Sequence, residues 1–151
     1  MKRLQRLSRV RDVMRAEERR QAQRLAEFEQ RLLSAEQRTL ELQRYRADYA
    51  QQLERSGVGG LNVSSLRNYQ IFLARLDEAI RQQEQIKRQT STELEFNRRS
   101  WQEAAIRLKS LASVIGQWED RARQARDRID QSESDERALR SLEKSEIQYD
   151  G

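Results

Sequence analysis

Residues that interrupt helices are almost missing from this chain. It has no proline and only five glycines in 151 residues, whereas average usage would supply about seven or eight prolines. Residues 1–56 and 61–115 contain neither residue, and Gly57, Gly59 and Gly60 lie together between them. Because proline and glycine break helices, the sequence predicts two long helices joined by one turn, and it argues against a compact domain with a single core.

An apolar stripe with a seven-residue repeat runs along the first half of the chain. Fifteen positions between 4 and 53 are separated alternately by three and four residues, the spacing that keeps one side of a helix facing a partner helix. Most residues between them are Arg, Glu and Gln, which favour helices and water. We therefore expect one helix over about residues 3–55. Ten of the fifteen positions are apolar or aromatic: Leu4, Leu7, Met14, Leu25, Phe28, Leu32, Ala35, Leu42, Tyr49 and Leu53.

The second half repeats the pattern after the glycine-containing segment. We expect a hinge over about residues 56–64, in which Asn62, Ser64 and Ser65 offer N-caps. A helix over about residues 65–140 and a mobile polar tail over about 141–151 follow. The stripe of this helix contains one extra step of four residues, a stutter, between Ile86 and Leu94. Its members are Leu66, Tyr69, Leu73, Leu76, Ile80, Leu94, Trp101, Leu108, Leu111, Ile115, Trp118, Ala122, Ala125 and Ile129.

Neither helix can bury its stripe alone, and a short connection favours antiparallel neighbours. The predicted fold class is therefore all-α: residues 1–151 form a single domain, a long antiparallel two-helix coiled coil (an α-hairpin) with a C-terminal overhang. If the turn is centred near residue 59 or 60, residue i of the first helix lies roughly level with residue 119 − i of the second. Residues after Gly116 then have no partner helix, so they overhang, fray or bind another protein.

The composition argues against catalysis. Cysteine and histidine are absent, so thiolate nucleophiles, the usual zinc ligands and the commonest proton-transfer side chain are missing. The motifs GxxxxGKS/T, GxGxxG and GxSxG do not occur. We therefore expect no enzyme activity, no catalytic or metal site and no cofactor. No apolar run is long enough to cross a membrane, and the basic start lacks the apolar core of a secretory signal, which favours a soluble cytoplasmic chain.

Basic side chains are concentrated at the start of the chain. The net charge is +5, and residues 1–24 hold nine basic and three acidic groups while the rest is nearly balanced. This basic segment is either an ordinary charged helix surface or a surface for a partner, which is then nucleic-acid phosphate or an acidic protein. Because no aromatic residue precedes Phe28 to stack on bases, a protein partner is favoured over nucleic acid.

Aromatic residues gather near the turn. They are Tyr45, Tyr49, Tyr69 and Phe72. When Tyr69 is placed on the stripe, Phe72 falls about 80° to one side, so the apolar arc is wider than one partner helix covers. Three interpretations stay open: a broad coiled-coil core, a seam that lies on a different stripe, or an exposed aromatic patch that binds another protein.

Three segments resemble the FliJ family of bacterial flagellar type III export proteins: LQRYRADYAQQL at 42–53, GVGGLNVSSLRNYQIFLARLDEAIRQQ at 57–83 and RRSWQEAAIRLKSL at 98–111. The likeness covers nearly the whole chain in length, hinge position and heptad layout. The tyrosine pair before the hinge and the segment NYQIFLARLDEAI after it make the likeness specific, because heptads alone are common to all coiled coils.

The resemblance implies a non-enzymatic component of the flagellar export apparatus. Members of the family are antiparallel coiled coils shaped like the central stalk of rotary F-type ATPases. They associate with the hexameric export ATPase and promote its ring, contact the cytoplasmic domain of the export gate protein, and handle export chaperones. A protein of this kind is cytoplasmic, is held by its partners at the inner face of the cell membrane at the flagellar base, and serves motility and chemotaxis.

Two sets of contact residues follow from the resemblance. Six positions match the family's gate-contact surface, and we call them the hinge patch: Leu42, Tyr45, Tyr49, Phe72, Leu76 and Ala79. Two flanking positions, Arg38 and Gln83, depart from the family pattern. The comparison with a stalk places the paired terminal end inside the ATPase ring, which makes residues 1–24 and the facing stretch near 95–118 the candidate ring contacts. Within them we single out five residues, called the ring arginines: Arg11, Arg15, Arg19, Arg20 and Arg24.

Three other functions compete with this one. The related stalk protein of virulence-type injectisomes shares the architecture and the partner classes, although the tyrosines and NYQIFLARL favour the flagellar member. A basic coiled-coil protein that binds nucleic acid predicts binding that falls steeply with salt. A purely structural homo-oligomer predicts that the apolar arc pairs with itself and that the chain is not monomeric.

Overall fold

Two long α-helices form the fold in the computed structural model. It describes residues 2–58, 60 and 62–149, and in this part of the chain α1 spans Lys2–Val58, α2 spans Val63–Tyr149 and no strand occurs. The two helices pack against each other, which confirms the predicted all-α hairpin. Both are rich in Arg, Glu, Gln, Leu and Ala, which are strong helix formers.

The helical bounds differ from the expected ones at both ends. α1 continues to Val58 and α2 begins at Val63, so the connection is shorter than the expected hinge at 56–64. Residues 141–149, expected as part of a mobile tail, continue α2 to Tyr149; residues 150 and 151 lie outside the described part. The segment is polar, but it contains neither proline nor glycine, so local propensity extends the helix. Its mobility stays a prediction.

The turn uses one glycine conformation and one helix cap. Gly60 has a φ of +84°, a region that glycine adopts without the steric cost of a Cβ atom. The side-chain Oδ1 of Asn62 accepts a hydrogen bond from the Ser65 amide at 2.8 Å, and the Asn62 carbonyl accepts one from the Leu66 amide at 3.1 Å. The predicted N-cap is therefore confirmed at Asn62. Gly59 lies outside the described residues.

The predicted stripe of α1 is the face that packs on α2. All fifteen positions, from Leu4 through Leu53, are buried or half-buried, and Ala35 and Thr39 are the most enclosed. Polar members of the stripe, such as Glu18 and Arg46, are covered as well. The heptad spacing of α1 therefore predicts its buried face without an error of register.

The stutter predicted in α2 is wrong. Covered positions alternate by four and three residues without interruption, and they continue through Gln83, Lys87 and Thr90 to Leu94. Because these three positions hold polar residues, a repeat traced through apolar residues alone misses them. Ends of the predicted stripe also differ, since Leu66, Ala125 and Ile129 are exposed. The full set of covered heptad positions in α2 is 69, 73, 76, 80, 83, 87, 90, 94, 97, 101, 104, 108, 111, 115, 118 and 122.

Contacts divide the chain into two units, each with its own small core. The first joins Met1–Ala16 to Ala105–Gly151, and the second is Glu17–Ala104. Ile115, only 2% exposed, is the most enclosed side chain of the first unit. The second unit buries both apolar and polar side chains: Ala35, Leu76, Leu94, Thr39, Thr90 and Asn97. Two helices enclose few side chains completely, so the core is narrow.

Contacts within each unit agree with the predicted level of the helices. In the second unit Glu18 bonds to Trp101, the residue expected opposite it. In the first unit the guanidinium of Arg3 lies 4.7 Å from the ring centre of Trp118, two residues from the expected position. Trp118 and Ala122, which follow Gly116 on α2, are still half-buried, so this glycine does not mark the end of the pairing.

The C-terminal part of α2 has no partner helix among the described residues. Every side chain from Arg123 to Ile147 is exposed, including the apolar side chains of Ile129, Leu139, Leu142 and Ile147. This segment is the predicted overhang. Within the described ranges, neither helix combines the length and the apolar content that a membrane span needs.

Candidate partner-binding surfaces

Four aromatic rings meet near the turn, inside the second unit. Tyr49 is at their centre: its ring centroid lies 4.5 Å from that of Phe72, 5.0 Å from that of Tyr69 and 6.5 Å from that of Tyr45. Tyr45 also meets Phe72 edge-on, with centroids 6.1 Å apart and planes at 78°. Ring pairs at such distances and tilts attract each other beyond simple apolar burial. The cluster therefore ties α1 to α2 and holds the ring of Tyr45 in place.

The hinge patch is partly core and partly surface. Leu76 is 8% exposed and lies in the interface between the helices, whereas Tyr45 is 53% exposed. The remaining members, Leu42, Tyr49, Phe72 and Ala79, are half-buried. The core and surface interpretations of the wide apolar arc therefore apply to different residues: Leu76 packs inside, and Tyr45 presents an aromatic surface.

A shallow groove of about 430 Å³ opens beside Tyr45. Leu42 and Tyr45, which line it, belong to the hinge patch, and the other lining residues are Arg38, Glu41 and Gln83. A groove in which apolar side chains stand next to opposite charges suits a partner that inserts an apolar side chain and pairs its own polar groups at the rim. Arg38 and Gln83, the two positions that flank the hinge patch in the sequence comparison, thus line this groove.

An ion pair between the helices lies close to the aromatic cluster. The Nε atom of Arg46 donates a hydrogen bond to the carboxylate of Asp77, and a second guanidinium nitrogen lies 3.4 Å from the other carboxylate oxygen. This hydrogen bond lowers the pKa of Asp77 and raises that of Arg46. Both side chains are partly exposed, so the pair adds little stability. Its two-point geometry instead fixes the level of α1 against α2.

Tyr49 is the supporting member of the patch. Burial raises its pKa, and the nearby phenols of Tyr69 and Tyr45 add to the increase. Its hydroxyl group therefore stays protonated well beyond neutral pH, and the ring acts as an uncharged support for Tyr45 and Phe72.

The ring arginines differ in exposure. Arg11 is half-buried in the helix interface with its Nε atom enclosed, and Arg15 is exposed; both belong to the first unit. Arg19, Arg20 and Arg24 are exposed members of the second unit. Four of the five ring arginines are therefore accessible to a partner.

Acidic neighbours offset part of the charge of this set. Arg20 pairs with Glu17, whose pKa is lowered by a hydrogen bond from Gln21 and by the charge of Arg20. Arg20 and Arg24 line a groove of about 350 Å³ together with Glu17 and Glu27. The charge of this groove is therefore mixed.

The family model described as flagellar FliJ protein matches residues 1–146 of the chain. The chain belongs to the flagellar FliJ protein family. The resemblance carried by the tyrosine pair and the segment after the hinge is thereby confirmed. Membership in the FliJ family makes this chain a flagellar type III export component of a non-catalytic family. No curated protein and no solved structure matches the chain.

Sequence reasoning missed two contacts in the second unit of this FliJ chain. The indole Nε1 of Trp101 donates a hydrogen bond of 2.9 Å to Glu18, and Arg46 pairs with Asp77. Glu18 and Arg46 occupy stripe positions at which an apolar residue is expected. A charged residue in a packed stripe is the signal that finds such contacts, because a covered polar group needs a partner.

Proposed function

We propose that this protein links the export ATPase to the export gate without catalysing a reaction itself. The hinge patch binds the cytoplasmic domain of the gate protein, and the ring arginines contact the hexameric export ATPase and promote its ring. The chain also handles export chaperones. It acts in the cytoplasm, peripheral to the inner face of the cell membrane at the flagellar base, and motility and chemotaxis depend on it. Membership in the FliJ family supports this proposal.

The observation that carries the gate interaction is the exposure of a supported aromatic ring. Tyr45 is 53% exposed, yet Tyr49 and Phe72 hold its ring from two sides. Rigid aromatic side chains are frequent hot spots in interfaces, because they bury a large area at a low cost in conformational entropy. The adjoining groove provides space for an apolar side chain of the gate, with Arg38 and Glu41 at its rim.

The charge of the basic segment supports the ATPase interaction. Arg15, Arg19 and Arg24 are exposed, and they give a partner with acidic groups a complementary surface. Charge complementarity of this kind chiefly accelerates association and selects the partner. It therefore fits a component that must find a ring and engage it repeatedly.

Calorimetric titration with the purified gate domain tests the hinge patch. Replacing Tyr45 by Ala is expected to weaken gate binding about tenfold or more, the effect of losing an interface hot spot. Phe96 is the matched control: it is an aromatic residue of the same unit, it is 71% exposed, and it lies outside the patch. Phe96→Ala is expected to keep wild-type affinity. Equal losses in both variants would contradict a gate site at the hinge patch.

Stimulation of the ATPase tests the ring arginines. Reversing the charge at Arg15, Arg19 and Arg24 is expected to abolish most of the stimulation, because each Glu repels the acidic groups that Arg attracts. Arg20 is left in place because it pairs with Glu17. Arg126, Arg128 and Arg137, exposed on the overhang, provide a charge-matched control when each is replaced by Glu. Retained stimulation in the first variant would contradict the assignment.

A further inference from the structure

The outward face of the first three turns of α1 combines basic and aliphatic side chains. At 100° per residue, six exposed residues share an arc of about 120°. We call this arc the basic–valine face: Lys2, Arg3, Arg6, Arg9, Val10 and Val13. The single acidic residue of this stretch, Asp12, lies outside the arc. The face is therefore both strongly positive and partly apolar.

The stretch of α2 that lies level with this face is also basic, and the acidic residues Glu119 and Asp120 follow it. Within the first unit, residues 105–118 of α2 contain Arg107 and Lys109 and no acidic side chain. Arg3 is held against the ring of Trp118 at 4.7 Å, which keeps the start of α1 on α2. Lys2, Arg6 and Arg9, together with Gln5, frame a shallow depression of about 200 Å³. A phosphate group fits into such a depression between three cations.

Two valines distinguish this surface from a simple cluster of charges. Val13 is 67% exposed and Val10 is 45% exposed, so both leave apolar area in water. These methyl groups add nothing to contacts with the phosphates of a nucleic acid, and the segment has no aromatic ring to stack on a base. A lipid bilayer uses both features, because its headgroups attract Lys and Arg while its acyl boundary takes up aliphatic side chains.

We propose that the basic–valine face binds directly to a membrane surface rich in anionic lipid headgroups. A cluster of four to eight Lys and Arg side chains on a helix is the pattern that binds such headgroups, and this face supplies four of them. The two valines settle at the boundary between headgroups and acyl chains. The surface shares no residue with the hinge patch or with the ring arginines. It lies on the end of the chain that the stalk comparison places inside the ATPase ring, so the face is open to lipid only while that end is outside the ring, and direct lipid contact goes beyond the proposed function.

Cosedimentation of the full chain with lipid vesicles tests this proposal. Vesicles of phosphatidylcholine with phosphatidylglycerol are expected to bind the chain, and vesicles of phosphatidylcholine alone are not. The triple variant K2Q/R6Q/R9Q is expected to bind the anionic vesicles about a hundredfold more weakly, because each lost cation weakens binding by about fivefold. The triple variant R126Q/R128Q/R137Q, with the same loss of charge on the overhang, is expected to bind like the wild type.

The valines are tested separately from the charge. The variant V10T/V13T keeps the shape and the charge of the face and is expected to bind several-fold more weakly. Equal binding to neutral and anionic vesicles, or equal losses in the two Gln variants, would overturn the proposal. So would tighter binding to a DNA duplex or to polyglutamate that V10T/V13T leaves unchanged, because the face would then be a general site for polyanions or acidic proteins.

Discussion

Ile115 is a buried contact between the two helical segments of the first unit. Its side chain is 2% exposed and it is the most enclosed large residue among those described. Only residues 2–16 of α1 are available to cover this part of α2, and the other apolar side chains of the interface, such as Leu7 and Leu111, are only half-buried. Replacing Ile115 by Ala therefore removes the most completely buried apolar side chain of the unit.

The expected cost follows from burial and from helix propensity. Truncating a buried Ile to Ala costs about 2–5 kcal/mol, and the lower part of the range applies where neighbours can close the space. Two helices can approach each other, and Ala gains up to about 0.5 kcal/mol of helix propensity over Ile. We expect Ile115→Ala to lower the free energy of unfolding of the first unit by about 2–3 kcal/mol.

Ile106 provides the matched control for this change. It is an Ile on the same helix of the same unit, but it is 64% exposed, so Ile106→Ala alters propensity without removing a packed side chain. Urea unfolding of a Trp101→Phe background, followed by the fluorescence of Trp118, reports on the first unit because Trp118 contacts Arg3 there. Equal free energies of unfolding for the two Ala variants would refute the burial argument.

Two further predictions concern the turn and the ion pair. Gly57 lies in α1 and Gly60 has a φ of +84°, and a Cβ atom at either position meets nothing within 4 Å. In the helix, Gly57→Ala should therefore raise the free energy of unfolding by up to about 1 kcal/mol. At the positive φ, Gly60→Ala should lower it by about 1–2 kcal/mol. Urea unfolding measures both, and changes of the same sign would contradict the backbone argument. The hydrogen bond from Arg46 holds the pKa of Asp77 in the folded state below its usual value of 3.8. The stability from this pair is therefore present above pH 3.8 and is lost as the pH falls through the lowered pKa. The difference in Tm between the wild type and Asp77→Asn should shrink below about pH 4, and a difference that stays constant with pH would contradict this role.

The buried faces of the helices were predictable to different degrees. In α1 the repeat of Leu25, Phe28 and Leu32 defines the register, because apolar residues occupy most stripe positions. In α2 the residues Gln83 and Lys87 occupy covered positions, and a rule that follows apolar residues loses the register there. A long polar side chain can cover a seam position with its aliphatic part while its polar end reaches water, and that behaviour leaves no apolar signal in the sequence.

The residues of the candidate surfaces follow from the resemblance and stay predictions, and their exposure is not contained in the sequence. Tyr45 and Leu76 both belong to the hinge patch, yet one is exposed and the other is buried. The difference depends on which side chains of the partner helix cover each position, and helical spacing alone does not contain that information. The level of the helices places Trp101 opposite Glu18, but the hydrogen bond between them depends on side-chain orientation, which helical spacing does not contain either.

The central claim is that the hinge patch and the ring arginines serve different partners. Gate affinity and ATPase stimulation should be measured on the same two proteins, Tyr45→Ala and the charge-reversed variant of Arg15, Arg19 and Arg24. The account predicts that Tyr45→Ala loses gate affinity and keeps ATPase stimulation, and that the charge-reversed variant does the opposite. Parallel loss of both activities in each variant, with helicity unchanged, would contradict it.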